Sequence, residues 1–129
     1  MLRKILIAVA AATGLLAAGS PPALAHTSVT NLFCPQKGMI SIVDFEASWC
    51  GPCKMMKPVW KTLEREYKGK IAFVHLDIDQ HPDIAQVLQI RSVPTQILFD
   101  RKCKFIDTHS GYLSEEDLRT TFESVLKEY

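Results

Sequence analysis

The chain has 129 residues, which is long enough for one domain with its own hydrophobic core. Its 15 Lys and Arg residues against 14 Asp and Glu give a formal net charge of +1. This balance supplies no basic field of the kind that attracts nucleic acid, so we expect no nucleic-acid partner.

The first 25 residues have the pattern of a secretory signal peptide. Arg3 and Lys4 give a positive start, residues 5–18 form an apolar run, and residues 23–25 (ALA) have the small-x-small form of a cleavage site. The alternative is a membrane anchor, but a spanning helix needs about 20 apolar residues. The apolar run is interrupted before that length by residues 19–22 (GSPP). We therefore predict a signal peptide at residues 1–25.

Cleavage after Ala25 would leave a single domain at residues 26–129, in the periplasm or secreted. This part would carry 13 Lys and Arg residues against 14 Asp and Glu, and it contains no internal repeat or low-complexity tract. It also contains all four cysteines. Disulfides persist in compartments outside the cytoplasm, so the cysteines have to be interpreted in that light.

The predicted domain opens with strand patterns. Residues 27–33 are predicted to form a short edge strand, and residues 34–38 a turn. Residues 39–45 (MISIVDF) are apolar almost throughout, which is typical of a strand buried on both faces. Asp44 is the one charge that interrupts this run.

Helix and strand patterns then alternate to the end of the chain. Residues 54–67 have apolar side chains at helical spacing, at Met56, Val59, Trp60 and Leu63. The further predicted elements are a buried strand at 71–78, a short helix at 83–88, strands at 95–99 and 105–108 joined by a hairpin turn, and a final helix whose capping box starts at Ser114. The order β-α-β-α-β-β-α predicts an α/β fold that starts with parallel strands and ends with an antiparallel pair.

Cys50 and Cys53 lie where the first core strand gives way to the first helix. Unpaired N–H groups and the helix dipole stabilise an anion at such a position, so it lowers the pKa of a thiol there. The thiolate is the reactive form of cysteine. Cys53 lies one helical turn further on, and Gly51 and Pro52 make the intervening turn tight. This geometry predicts a reversible, redox-active dithiol.

The CxxC pair has two alternative roles. A zinc site needs a second close pair of ligands, whereas the remaining Cys and His candidates are scattered singly, at Cys34, Cys103, His75, His81 and His109. A purely structural disulfide between Cys50 and Cys53 would close so small a loop that it constrains little of the unfolded chain. We therefore predict no metal site.

The stretch WCGPCK at residues 49–54 resembles the active-site hexapeptide of thioredoxins. The resemblance covers about residues 39–126 and includes Asp44, Pro58, Asp77, Asp79, the run IRSVP at 90–94 and Gly111. It implies a thioredoxin fold, with a mixed central sheet of four to five strands flanked by helices. The N-terminal helix of full thioredoxins is expected to be absent, because few residues separate Phe33 from Met39.

The resemblance also implies roles for individual residues. Cys50 would be the nucleophile and Cys53 the resolving thiol, and Asp44 would be the buried carboxylate that takes the Cys53 proton. Pro94 matches the family's cis-proline, which would hold the Val93 backbone beside Cys50 to pair with an extended substrate. The implied substrate groove is completed by Trp49, Gly51, Pro52, Gly111 and Tyr112, and Pro58 would kink the long helix.

Two positions depart from the family pattern and are candidate modulators. Glu46 stands where an aromatic residue is usual, on the same strand face as Asp44. It would share the proton-transfer role of Asp44 or raise the pKa of that carboxylate by like-charge repulsion. The alternative is that it pairs with a lysine such as Lys57. His75 stands where the family often has a lysine facing the buried carboxylate, and there it would respond to pH; the alternative is an ordinary core histidine.

Cys34 and Cys103 are not part of the family pattern. In the implied topology both belong to the sheet end opposite Cys50, so we hypothesise a structural Cys34–Cys103 disulfide. Two unpaired thiols are the alternative.

The implied activity is that of a thiol:disulfide oxidoreductase, which reduces disulfides in exported proteins. Its partners would be protein disulfides and a membrane-embedded electron donor, and we expect a monomer with no bound cofactor. The Gly-Pro spacer resembles that of reducing thioredoxins, whereas the spacers of periplasmic oxidants generally contain His. The alternatives are a dedicated reductase for cytochrome c maturation, a disulfide oxidase or isomerase, and a non-catalytic binding module.

Overall fold

The domain has an α/β architecture in the computed structural model, which describes Phe33 and residues 35–129. The described elements, in chain order, are β1 (Ile40–Glu46), α1 (Gly51–Glu66), β2 (Ile71–Asp77), α2 (Pro82–Val87), β3 (Thr95–Phe99), β4 (Phe105–Ser110) and α3 (Glu115–Glu128). The predicted fold class and element order are confirmed. The predicted signal peptide, the missing N-terminal helix and all but Phe33 of the edge strand predicted at residues 27–33 fall on residues outside this description.

The sheet brings three polar side chains into one row. Its described strands are ordered β2-β1-β3-β4. β1 runs parallel to β2 and antiparallel to β3. This register places Asp44 of β1 between His75 of β2 and Gln96 of β3. A row of polar residues therefore crosses these three strands.

Helices cover both faces of the sheet. Ile40 and Ile42 point to the face covered by α1 and α3, where they pack with Met56, Trp60 and Phe122. The alternate residues of β1 point to the other face, because side chains alternate along a strand. There Val43 and Phe45 pack with Ile97 and Phe99, against Phe33, Ile84 and Leu88. Asp44 shares the face of Ile40 and Ile42, so it lies under α1.

The start of α3 and the burial of β2 can both be compared with the predictions. The capping box predicted at Ser114 is confirmed, since the Ser114 hydroxyl accepts a hydrogen bond from the Asp117 N–H and the Asp117 carboxylate accepts one from the Ser114 N–H. The prediction that the strand at residues 71–78 is buried is wrong. Only Ile71 of β2 is fully buried. The reason is position, since β2 lies at the outer end of the described sheet while β1 and β3 lie inside it.

The sheet end opposite the CxxC pair carries Cys103. Phe99 pairs with Ser41 at the start of β1, as the predicted antiparallel arrangement requires. Cys103 follows in the hairpin turn, is buried and is disulfide-bonded. Cys34 lies outside the described residues, so the Cys34–Cys103 pairing stays a prediction.

None of the helices in the described part of the chain is long and apolar enough to cross a membrane.

Candidate redox site

The two CxxC cysteines form a disulfide at the start of α1. The Cα atoms of Cys50 and Cys53 are 5.3 Å apart, and both side chains are buried. Cys50 is the N-cap residue, with extended backbone, and Gly51 and Pro52 occupy the first two helical positions. Pro52 fits there because the first N–H groups of a helix have no intrahelical partner to lose.

The local electrostatics favour negative charge on Cys50. The backbone N–H of Cys53 donates a hydrogen bond to the Cys50 sulfur over 3.2 Å. The positive end of the helix dipole points to the same atom. The first turn of α1 contains no acidic residue that would oppose a thiolate. Once the disulfide is opened, these groups stabilise the thiolate on the N-terminal cysteine, which is the arrangement expected of an attacking nucleophile.

The surface around the disulfide includes the predicted groove residues. The Val93–Pro94 peptide bond is cis, and Val93 packs against the cysteine pair. The N–H of Gly111 donates a 2.7 Å hydrogen bond to the Pro94 carbonyl, which ties the segment before α3 to this loop. Gly111 has a φ of +108°, a conformation that L side chains rarely adopt.

Trp49 forms an exposed wall beside the disulfide. Its side chain is 64 % exposed, and its indole N–H donates a 2.9 Å hydrogen bond to Asp79. Gly51 and Pro52 are also exposed, as is Tyr112. Trp49 and Tyr112 are therefore aromatic side chains open to solvent, and the indole of Trp49 is held in place by Asp79.

Asp44 lies beneath α1, among polar partners. It is 2 % exposed. One carboxylate oxygen accepts a 3.1 Å hydrogen bond from the Gln96 amide, and the other lies 3.4 Å from Nδ1 of His75. The same Gln96 nitrogen lies 3.7 Å from the sulfur of Met56, one turn after Cys53 on the buried side of α1. Asp44 is therefore held on the side of the helix that carries the resolving cysteine.

His75 joins the buried carboxylate to the surface. Its Nε2 lies 2.7 Å from Glu64 of α1, and the His75 side chain is 30 % exposed. Partial burial disfavours the imidazolium, but hydrogen bonds to Asp44 and Glu64 and the charges of both carboxylates outweigh that effect. The pKa of His75 is raised as a result. Of the two predicted alternatives, the structure thus places His75 beside Asp44 and not in an apolar core.

Glu46 pairs with Lys57, as one of its two predicted roles requires. The Lys57 ammonium lies 3.9 Å from a Glu46 carboxylate oxygen, and the lysine side chain is largely exposed. A pair at this distance whose lysine lies in solvent stabilises little. Asp44, Glu46 and His75 each also bring one possible metal-ligand atom within 4.8 Å of the others. Since Asp44 and His75 already bond to protein partners, we interpret them, with Gln96 and Glu64, as a hydrogen-bonded network.

Sequence reasoning missed two members of this network. Gln96 carried a usable signal, because it is a polar residue inside the apolar strand TQILF and faces Asp44 in the sheet. The sequence gives no signal that would single out Glu64, since it is one of several charged residues on the outer side of α1.

Comparison with known proteins identifies the family. A family model described as thioredoxin matches residues 31–124. The chain belongs to the thioredoxin family. It is 38 % identical to the thioredoxin of Staphylococcus saprophyticus and 37 % identical to that of Staphylococcus aureus. Each match runs over 87 residues, which are 67 % of this chain and 83 % of the relative.

Family membership and the CxxC geometry together define the activity. The protein is a thiol:disulfide oxidoreductase whose redox-active pair is Cys50 and Cys53. As in other thioredoxin-like proteins, its substrates are protein disulfides. The electrons are carried by the two sulfurs, and each turnover exchanges one dithiol for one disulfide.

Proposed function

We propose that this thioredoxin-family protein is exported and reduces disulfides in other exported proteins. The observation that carries the proposal is that two sequence features occur together in this chain. Residues 1–25 have the charge, apolar run and small-residue site of a signal peptide, and the CxxC pair has the Gly-Pro spacer of reducing thioredoxins. The first feature supports the compartment and the second supports the direction of electron flow.

The reaction begins at Cys50. Its thiolate attacks one sulfur of a substrate disulfide, so a mixed disulfide forms and the other substrate sulfur leaves as a thiolate. Cys53 then gives its proton to Asp44, and the freed electron pair forms the Cys50–Cys53 bond. The second substrate sulfur leaves with the electrons of the broken bond. Two electrons have then moved to the substrate, and the protein ends as the observed disulfide.

After each turnover, an exported reductase must itself be reduced by an electron donor. Compartments outside the cytoplasm lack the thiol pool that keeps cytoplasmic cysteines reduced. The electrons therefore have to cross the membrane, and we propose a membrane-embedded dithiol as donor. The exposed surface at Trp49 would meet donor and substrate in turn, with a single domain acting as a monomer.

Export is tested by expressing the full chain in a bacterial host. We expect the protein in the periplasmic fraction, with the mass of a chain that begins at His26. A matched control in which Met replaces residues 1–25 should stay in the cytoplasm. Full-length protein that retains Met1 and remains in the cytoplasm would contradict the proposed compartment. Reduction of insulin by purified residues 26–129 tests the activity independently of location.

A further inference from the structure

The buried position of Asp44 keeps water away from its proton and makes a change in its charge costly. Asp44 is 2 % exposed, so a proton that it accepts from Cys53 has no direct contact with water. Adding or removing a proton there also changes the charge of a buried site, which is costly unless a neighbouring charge changes with it. A charged group that bonds to Asp44 and also exchanges protons with water would keep the charge of the site constant.

His75 is such a group. Its Nδ1 lies 3.4 Å from Asp44, and its Nε2 lies 2.7 Å from Glu64. The Glu64 side chain is 44 % exposed, so it exchanges protons with water freely. Both ring nitrogens therefore face carboxylate oxygens, one buried and one solvated. An imidazolium can donate to both, and a neutral ring can donate to only one.

We propose that His75, through Glu64, exchanges a proton with solvent and so offsets each change in the charge of Asp44. When Asp44 takes the Cys53 proton, the His75 imidazolium gives its Nε2 proton to Glu64, which passes it to water. The ring keeps the proton on Nδ1. Asp44 thus becomes neutral as His75 becomes neutral, and the summed charge of the pair stays at zero. This inference rests on the proton-acceptor role of Asp44 in the proposed reduction.

The exchange runs backwards when the disulfide is reduced again. Cys53 then leaves as a thiolate and takes the Asp44 proton, so Asp44 is once more a carboxylate. His75 regains a proton from water at Nε2, through Glu64. No proton or electron is left over in either direction, and no further reactant is needed.

The other charged groups near His75 fit this assignment. Among the described residues, those that face it are Asp44 and Glu46 from β1 and Glu64 from α1, and Lys57 of α1 reaches the group by pairing with Glu46. The ring also packs edge-on against Trp60, with centroids 5.6 Å apart. This contact fixes the ring plane, so that both nitrogens keep their partners. A lysine at position 75 would supply charge, but its ordinary pKa of about 10.4 would stop it from releasing a proton near neutral pH.

The test is the rate at which Cys53 closes the disulfide, measured in single turnovers of reduced protein at saturating insulin. We expect His75→Ala and His75→Lys each to slow closure about 100-fold, the lower end of what a proton-transfer group contributes. Added imidazole should restore the rate of His75→Ala, whereas tetramethylammonium at equal ionic strength should not. Glu64→Gln should slow closure less than the loss of His75 does, because water can also accept a proton from the partly exposed ring. The matched Glu66→Gln, at an equally exposed glutamate that pairs with Arg119, should have no effect.

Three outcomes would overturn this proposal. They are closure at the wild-type rate in His75→Lys, a slow His75→Ala that imidazole does not restore, and equal effects of Glu64→Gln and Glu66→Gln. The alkylation rate of Cys50 serves as the readout for the nucleophile and should be the same in all variants. If wild-type protein itself fails to reduce insulin, the proposed reduction fails, and that result is distinct from any of these three.

Discussion

Replacing Cys50 with serine is expected to reduce protein-disulfide reduction to background, a loss on the order of 10³-fold. The helix N-terminus and the Cys53 N–H stabilise an anion at this position. A serine hydroxyl is not ionised near neutral pH, so the same environment gives it little nucleophilic power. The measurement is the rate of insulin reduction by Cys50→Ser beside wild type.

The matched variant is Cys53→Ser, which should behave differently. It keeps the Cys50 nucleophile but cannot resolve the mixed disulfide, so it should accumulate a covalent complex with substrate. Mass spectrometry would show that complex, and a thiol reductant would release it. Activity retained in Cys50→Ser, or a complex formed through Cys53 instead, would show that the roles are assigned wrongly. A non-catalytic binding module would reduce no substrate even as wild type.

Removing the Cys103 disulfide is expected to lower the free energy of unfolding by about 4 kcal/mol, if Cys103 is joined to Cys34 as we predict. The bond would close a loop of roughly 70 residues, and the chain-entropy model assigns that much stabilisation to a loop of this size. Cys103 is buried, so Cys103→Ala avoids placing a hydroxyl in a buried site. Denaturant unfolding of residues 26–129 measures the change.

The partner is identified by comparing single and double variants. Cys34→Ala should cost about as much as Cys103→Ala, and the double variant should cost little more than either, because all three lose the same bond. Additive losses would contradict the pairing. Differential alkylation followed by mass spectrometry gives an independent check, since a free thiol at either position in wild-type protein would also exclude it.

Much of the fold and the centre of the site could be predicted from local patterns. The apolar run at β1, the helical spacing in α1 and the turn chemistry at residues 100–103 depend on neighbours in sequence. The CxxC pair is equally local, because the strand end and the helix start that activate it flank it directly. The capping box at Ser114 is confirmed for the same reason.

The rest depends on pairing between strands, which local patterns do not determine. His75 meets Asp44 only because β1 and β2 pair in a particular register, and the partial exposure of β2 follows from its place at the end of the described sheet. Gln96 was detectable as a polar residue in an apolar strand, but its bond to Asp44 also needs the register of β1 and β3. Glu64 becomes a partner of His75 only once α1 lies across the sheet.

The most direct test of the proposed reductase is the reduction potential of the Cys50/Cys53 pair. It is measured by equilibrating residues 26–129 with dithiothreitol buffers of graded ratio and scoring alkylation of Cys50. We predict a value near that of thioredoxin, about −270 mV, at which the dithiol reduces ordinary exported disulfides. A value near about −120 mV, typical of a strong periplasmic oxidant, would contradict the account and assign the protein to disulfide formation.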